Sequence, residues 1–140
     1  MPSLSKIVRQ QVSDRASQCC EYCKTQQILI GMPLVIDHII PTSADGKNEL
    51  GNLAAACYRC NQFKGAKVCA IDPLSKKNTN LFNPRSQSWS EHFYWSEDGL
   101  YIIGKTAVGR ATVETLKLNN EYITESRKIW ISQDWHPPNV

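Results

Sequence analysis

Between Ser5 and Ala16 the apolar side chains Ile7, Val8, Val12 and Ala16 recur at helical spacing among charged and polar residues, which predicts an amphipathic helix leading into Cys19 and Cys20. The stretch "ILIGMPLVIDHII" is denser in apolar residues. It predicts two short strands, Ile28 to Ile30 and Leu34 to Ile40, separated by Gly31 and Pro33 and ended by Pro41. A polar loop, "TSADGKNELGN", follows. A short apolar run then reaches Cys57, and helix-forming residues continue to Gly65, a C-cap signal. From about 71 to 90 the chain is rich in Asn, Ser, Lys and Pro, which predicts a linker. Beyond it, two aromatic or apolar runs flank Asp98-Gly99, a hairpin signal. Thr106 is placed to N-cap a helix carrying Val108, Ala111, Val113, Leu116 and Leu118. Asn119 and Asn120 interrupt the pattern before a last amphipathic helix with Tyr122, Ile123, Ile129 and Trp130.

These elements predict an α+β protein. At 140 residues there is room for one compact core with an appendage. The start, "MPSLSKIVRQQ", has no apolar run of the signal-peptide kind, and no stretch approaches the roughly 20 apolar residues of a membrane span, so the expected location is the cytoplasm, away from any membrane. A reducing compartment disfavours disulfides. The six cysteines, four of them in two C-x-x-C pairs, therefore read as metal ligands. A net charge of +3, from 16 basic and 13 acidic residues, tolerates an anionic partner such as nucleic acid without demanding one.

Cys20, Cys23, Cys57 and Cys60 form two such pairs around a long insert. A two-residue gap lets one tight turn present both thiolates to a tetrahedral zinc ion, with Zn–S near about 2.3 Å. The insert exceeds the roughly 15–20 residues of common zinc modules, so it must hold structure of its own. Cys19 is the rival of Cys20, but its spacing to Cys23 is one residue too long to mirror the second pair. Cys69 lacks a partner and is expected to be a small core residue.

Inside the insert, "VIDHIIP" places Asp37 and His38 in an apolar strand, where neighbouring side chains point to opposite faces and burying polar groups costs free energy. Asn52 and Asn61 follow, the latter directly beside the second cysteine pair. With these residues in view, the sequence resembles the HNH endonucleases of the ββα-metal nuclease superfamily, through Cys20-x-x-Cys23, Asp37-His38-Ile39, Asn52-Leu53 and Cys57-x-x-Cys60-Asn61-x-x-Lys64. The resemblance implies a zinc-stapled ββα core and a catalytic divalent metal. His38 is then the general base, Asp37 and Asn61 hold the catalytic metal, and Asn52 steadies the loop around His38. It also implies DNA as partner and products with 5′-phosphate and 3′-hydroxyl ends. The final motif position is often histidine, and asparagine stands there in this chain.

The chemistry of the residue types agrees. Imidazole, with an ordinary pKa near about 6.5, suits deprotonation of a water nucleophile. Carboxylate and amide oxygens are hard ligands suited to magnesium or manganese, which stabilise charge on a phosphate and on the departing oxygen. Lys64, one turn after Asn61, is a candidate phosphate contact, ahead of Arg59, Lys47 and Lys67. The expected organisation is a nuclease core over 1–70, a linker over 71–90, and a hairpin with two helices over 91–140 that packs on the core or binds DNA. There Trp89, Phe93, Trp95, Trp130 and Trp135 read as packing residues, Arg85 and Arg110 as possible DNA contacts, and His92 and His136 carry no assignment. Two alternatives stand beside a DNA endonuclease: a zinc-stabilised DNA-binding module without catalysis, and an RNA-directed nuclease of the same chemistry.

Overall fold

A computed structural model describes residues 4–139. They form a mixed helix-and-strand protein whose chain divides into two units, residues 1–68 and 69–140. No described helix is long and apolar enough to cross a membrane.

The first unit opens with α1 (Lys6–Arg15), N-capped by the Ser5 hydroxyl, which accepts from the Val8 amide at 3.1 Å. Its inward stripe is Val8, Val12 and Ala16, at intervals of four, while Ile7 lies a quarter turn away and is exposed. Val12 packs with Leu53 and Ala55, and Leu4, Leu34 and Ile36 complete this small core.

The predicted strand Ile28 to Ile30 is instead the single helical turn α2 (Gln27–Ile30). A three-residue apolar run does not separate helix from strand, and Gly31 at φ 64 supplies a left-handed C-cap. The second predicted strand forms as β1 (Val35–His38) and pairs antiparallel with β2 (Leu53–Ala56), His38 opposite Leu53 and Asp37 opposite Ala54. All four β2 residues are buried, and three are alanine.

With only two strands, β2 has an edge that would leave amides and carbonyls unpaired. Glu21 covers much of it: its backbone N–H donates to Ala55 O at 2.8 Å, and its carboxylate accepts from Ala55 N at 2.8 Å. The Arg15 guanidinium donates to Leu53 O. Next, α3 (Tyr58–Lys64) begins at Cys57 and ends at Gly65, which has positive φ, as the sequence pattern predicts.

The second unit starts with the hairpin β3 (Cys69–Ile71) and β4 (Asn78–Asn80). The segment read as a linker over 71–90 thus holds a strand, a closed turn and the buried side chains Asp72, Leu81 and Phe82. Its prolines sit in turns and loops around those elements, so the composition that suggests a linker is that of a short hairpin. Cys69, expected in the core, is exposed on β3. After the short α4 (Trp89–His92), β5 (Phe93–Trp95) and β6 (Ile102–Gly104) form the hairpin predicted around Asp98-Gly99.

Thr106 caps α5 (Ala107–Thr115), and the side chain of Asn120 caps α6 (Glu121–Ser132). Gly104 lets β6 lie against α5, because a Cβ there would stand 2.4 Å from the Arg110 amide nitrogen. Phe82, Phe93, Ile102, Ala111, Leu116, Leu118 and Ile123 are buried in this unit.

Candidate functional site

The four cysteines of the two pairs gather. Their sulfurs all lie within 4.8 Å of one another, and all four residues are buried. A tetrahedral zinc with bonds of about 2.3 Å needs sulfur–sulfur edges of about 3.8 Å. Cys23 and Cys57 stand 3.7 Å apart. Local backbone geometry presents the sulfurs. Cys57 is the N-cap of α3 and accepts from Cys60 N at 3.4 Å, and Cys20 accepts from Cys23 N at 3.5 Å.

Burial pushes the Cys20 thiol well up and contacts with its three neighbours push Cys60 well up, whereas hydrogen bonds from the neighbouring thiols pull Cys23 and Cys57 down. Crowded thiols of this kind cannot all ionise unless a cation gathers them, so the donor set fits zinc. Arg59 donates to Cys23 Sγ at 3.6 Å, a partner unlike the phosphate weighed for it. Cys19 is buried outside the cluster, with its thiol on Ser17 O at 3.4 Å.

Asp37 faces α3. Its Oδ2 accepts from the Tyr22 hydroxyl at 2.6 Å and lies 3.1 Å from Lys64 Nζ, which also reaches Oδ1 at 3.3 Å. The same ammonium donates to His38 O and Ile39 O, each at 3.2 Å. Lys64 and Asp37 are both only 2% exposed. Burial pushes the Asp37 carboxyl up, against the opposing pull of Lys64 and Tyr22. The phosphate contact expected of Lys64 therefore does not fit: its ammonium is turned inward onto four oxygens. The sequence pattern shows that lysine one turn beyond Asn61 but not the direction of its stem.

Strand alternation sends His38 away from Asp37, and its side chain reaches the loop, where Nε2 lies 2.6 Å from Asn48 Oδ1. That loop is tightly built. The Asn52 side chain accepts from Ile40 N at 2.8 Å and donates to Ile40 O at 2.9 Å and Lys47 O at 3.0 Å, while its backbone carbonyl accepts from Ile39 N at 2.9 Å. Gly46 fits only as glycine, since a Cβ there would fall 1.8 Å from Ile40 O.

Asn61 lies half-buried on α3 beside Cys60, and its hydrogen bonds among the described residues are those of the backbone, to Cys57 O and from Gly65 N. The contacts thus divide into three groups: the cysteine cluster, Asp37 with Lys64 and Tyr22, and His38 with Asn48 on the loop that Asn52 ties. Asn48, Tyr22 and Glu21 were not legible in the sequence. Tyr22 sits between the cysteines of the first pair, a place that signals proximity to whatever the pair holds. Asn48 sits in a polar loop and carries no pattern at all.

The family model described as HNH endonuclease matches residues 20–67, about a third of the chain and the segment that holds all three groups. Among curated proteins, the chain is 36% identical over 86 residues to the CRISPR-associated endonuclease Cas9 of Corynebacterium diphtheriae, covering 57% of this chain and 7% of that protein. The chain thus spans only a small part of the length of that relative. No solved structure matches it significantly.

Proposed function

We propose, from the premise that residues 20–67 form an HNH endonuclease segment, that the chain hydrolyses phosphodiester bonds in DNA with His38 as general base. The observation that carries this reading is the placement of His38. Its imidazole stands at the end of β1, half-exposed, with one ring nitrogen engaged by Asn48 and the other without a hydrogen-bond partner among the described residues. A base has to reach solvent to take a proton from water, and a histidine serving only the core would bury its ring. Asn52 acts on the same loop, holding residues 40 and 47 rather than touching the reacting atoms.

Cys20, Cys23, Cys57 and Cys60 hold a structural zinc that fastens α3 to the β1–β2 pair. Asp37 and Asn61 are the proposed ligands of a catalytic magnesium or manganese, whose chemistry would be to stabilise charge on the phosphate and the leaving oxygen. Their oxygens suit such an ion. The Asp37 carboxylate, however, is already shared by the Lys64 ammonium and the Tyr22 hydroxyl, so any further cation competes with a resident positive charge.

The test is cleavage of plasmid DNA by purified His38→Ala protein with magnesium or manganese. The expected loss is roughly 10²–10⁴-fold in rate, with zinc content and melting temperature retained. Cleavage at the wild-type rate would remove His38 from catalysis. Wild-type protein that binds DNA and never cuts it would favour the zinc-stabilised binding module, and preferential cutting of a competing RNA would transfer the same chemistry to RNA.

A further inference from the structure

We infer that Asn48 is the positioning residue for His38: it fixes the imidazole with its proton on Nε2 and so leaves Nδ1 as the nitrogen that accepts a proton. This inference rests on the reading of His38 as general base. An amide oxygen can only accept, so Oδ1 of Asn48 at 2.6 Å from Nε2 calls for a proton on that nitrogen. A ring nitrogen's state is set by the hydrogen bond that the other nitrogen makes, and the same bond stops the ring from flipping.

The loop that delivers Asn48 is over-determined for an exposed segment. The Asn52 amide grips Lys47 O, one residue before Asn48, and both backbone groups of Ile40, two residues after His38. Pro41 O accepts from Ala44 N at 2.9 Å and from Gly46 N at 3.0 Å, closing the turn. Asp45 takes positive φ, 64°, and Gly46 occupies a place where any side chain would strike Ile40 O. These constraints all act within a few residues of Asn48, on a loop that has little core of its own to stabilise. Their shared consequence is a fixed place for the Asn48 amide against the ring. Asn52 therefore acts on His38 at one remove, through Asn48.

The experiment combines ring NMR with kinetics on the full chain, for the wild type, Asn48→Ala and Asn48→Asp. In the wild type, a proton–nitrogen correlation of the His38 ring recorded at alkaline pH is expected to show a protected proton on Nε2 and an unprotonated Nδ1. In Asn48→Ala that ring proton should vanish through solvent exchange, and kcat for DNA cleavage should fall with KM unchanged, by roughly the 10–100-fold typical of losing the partner that orients a metal-bound histidine. Asn48→Asp keeps an acceptor and should restore the ring proton and most of kcat.

A ring proton on Nδ1 in the wild type, or a ring signal or kcat unmoved by Asn48→Ala, overturns the inference. Because Asn48 is exposed, none of these variants should cost the fold. The parent reading fails separately, by activity persisting in His38→Ala, and that result leaves the ring spectrum of the wild type unaltered.

Discussion

Each unit buries one aspartate against one cation, and the two pairs are built in opposite ways. In the second unit, Asp72 receives both arms of the Arg110 guanidinium at 2.9 Å and the backbone amides of Leu74 and Ser75 at 3.1 and 3.2 Å. The Arg110 fork, followed by these local donors, holds the Asp72 carboxyl far below the usual carboxylate range. In the first unit, Asp37 has the single ammonium of Lys64, which it shares with two backbone carbonyls, and one tyrosine hydroxyl. Burial then outweighs these partners and its carboxyl is pushed up. Asp72 closes a hairpin turn and is content as an anion. At Asp37 the partners do not offset the cost of burial. Arg110, weighed in the sequence as a DNA contact, is engaged in the turn instead.

The sharpest way to break the parallel is to remove from one side the zinc proposed for the four cysteines. Structural zinc contributes on the order of 10 kcal/mol or more to small metal-bound folds. Strong chelation, or Cys57→Ser, is expected to unfold the first unit while the second persists. All four tryptophans, Trp89, Trp95, Trp130 and Trp135, lie in the second unit, so their fluorescence reports on it. Circular dichroism should lose signal with tryptophan emission unchanged; a single transition seen by both probes would refute independent units.

A smaller effect is expected from neutralising each cation. Lys64→Met strands a buried carboxylate, which typically costs about 3–5 kcal/mol, whereas Arg110→Met leaves Asp72 its backbone donors and should destabilise less. Denaturant titration of both variants measures the contrast. If Asp37 is a metal ligand, Lys64→Met should also bind manganese more tightly, read by electron paramagnetic resonance, and Asn61→Ala more weakly. Equal manganese affinity in all three proteins would take Asp37 and Asn61 out of the proposed metal site.

The mildest test is acid. A carboxyl whose folded pKa lies below its unfolded value, about 3.9 for aspartate, adds stability that is present above that pH and lost as pH falls toward the folded value. The stability of the second unit, measured by tryptophan fluorescence in denaturant, should therefore fall below about pH 4. Asp72→Asn should be less stable at neutral pH and show a flatter acid limb. An Asp72 carboxyl carbon that titrates at the ordinary aspartate value by NMR would contradict this.

Much of the architecture follows from local pattern. The cap at Thr106, the stop at Gly65 and the turn at Asp98-Gly99 are short-range effects of residue type, and they were legible because each needs only its near neighbours, whereas the caps at Ser5 and Asn120 emerged with the structure. The pairing of Cys20, Cys23, Cys57 and Cys60 was likewise written in spacing, since a tight turn can offer two sulfurs to one ion.

Facing was harder to read. On α6 the buried positions are Ile123, Arg127 and Trp130, while Tyr122 and Ile129 are exposed. The inward stripe was disguised because an arginine occupies its middle. That arginine is accepted because its guanidinium donates to Leu100 O at 2.8 Å and Leu118 O at 2.7 Å and lies over the Trp95 ring. Residue order by itself determined that the four paired cysteines, Asp37, His38 and Asn61 would occur near one another along a ββα run. Only the tertiary structure decided that Lys64 turns inward onto Asp37 and that Asn48 closes on His38, because both contacts join residues 10 or more positions apart, where the direction of a side chain is set by packing and not by any repeating pattern.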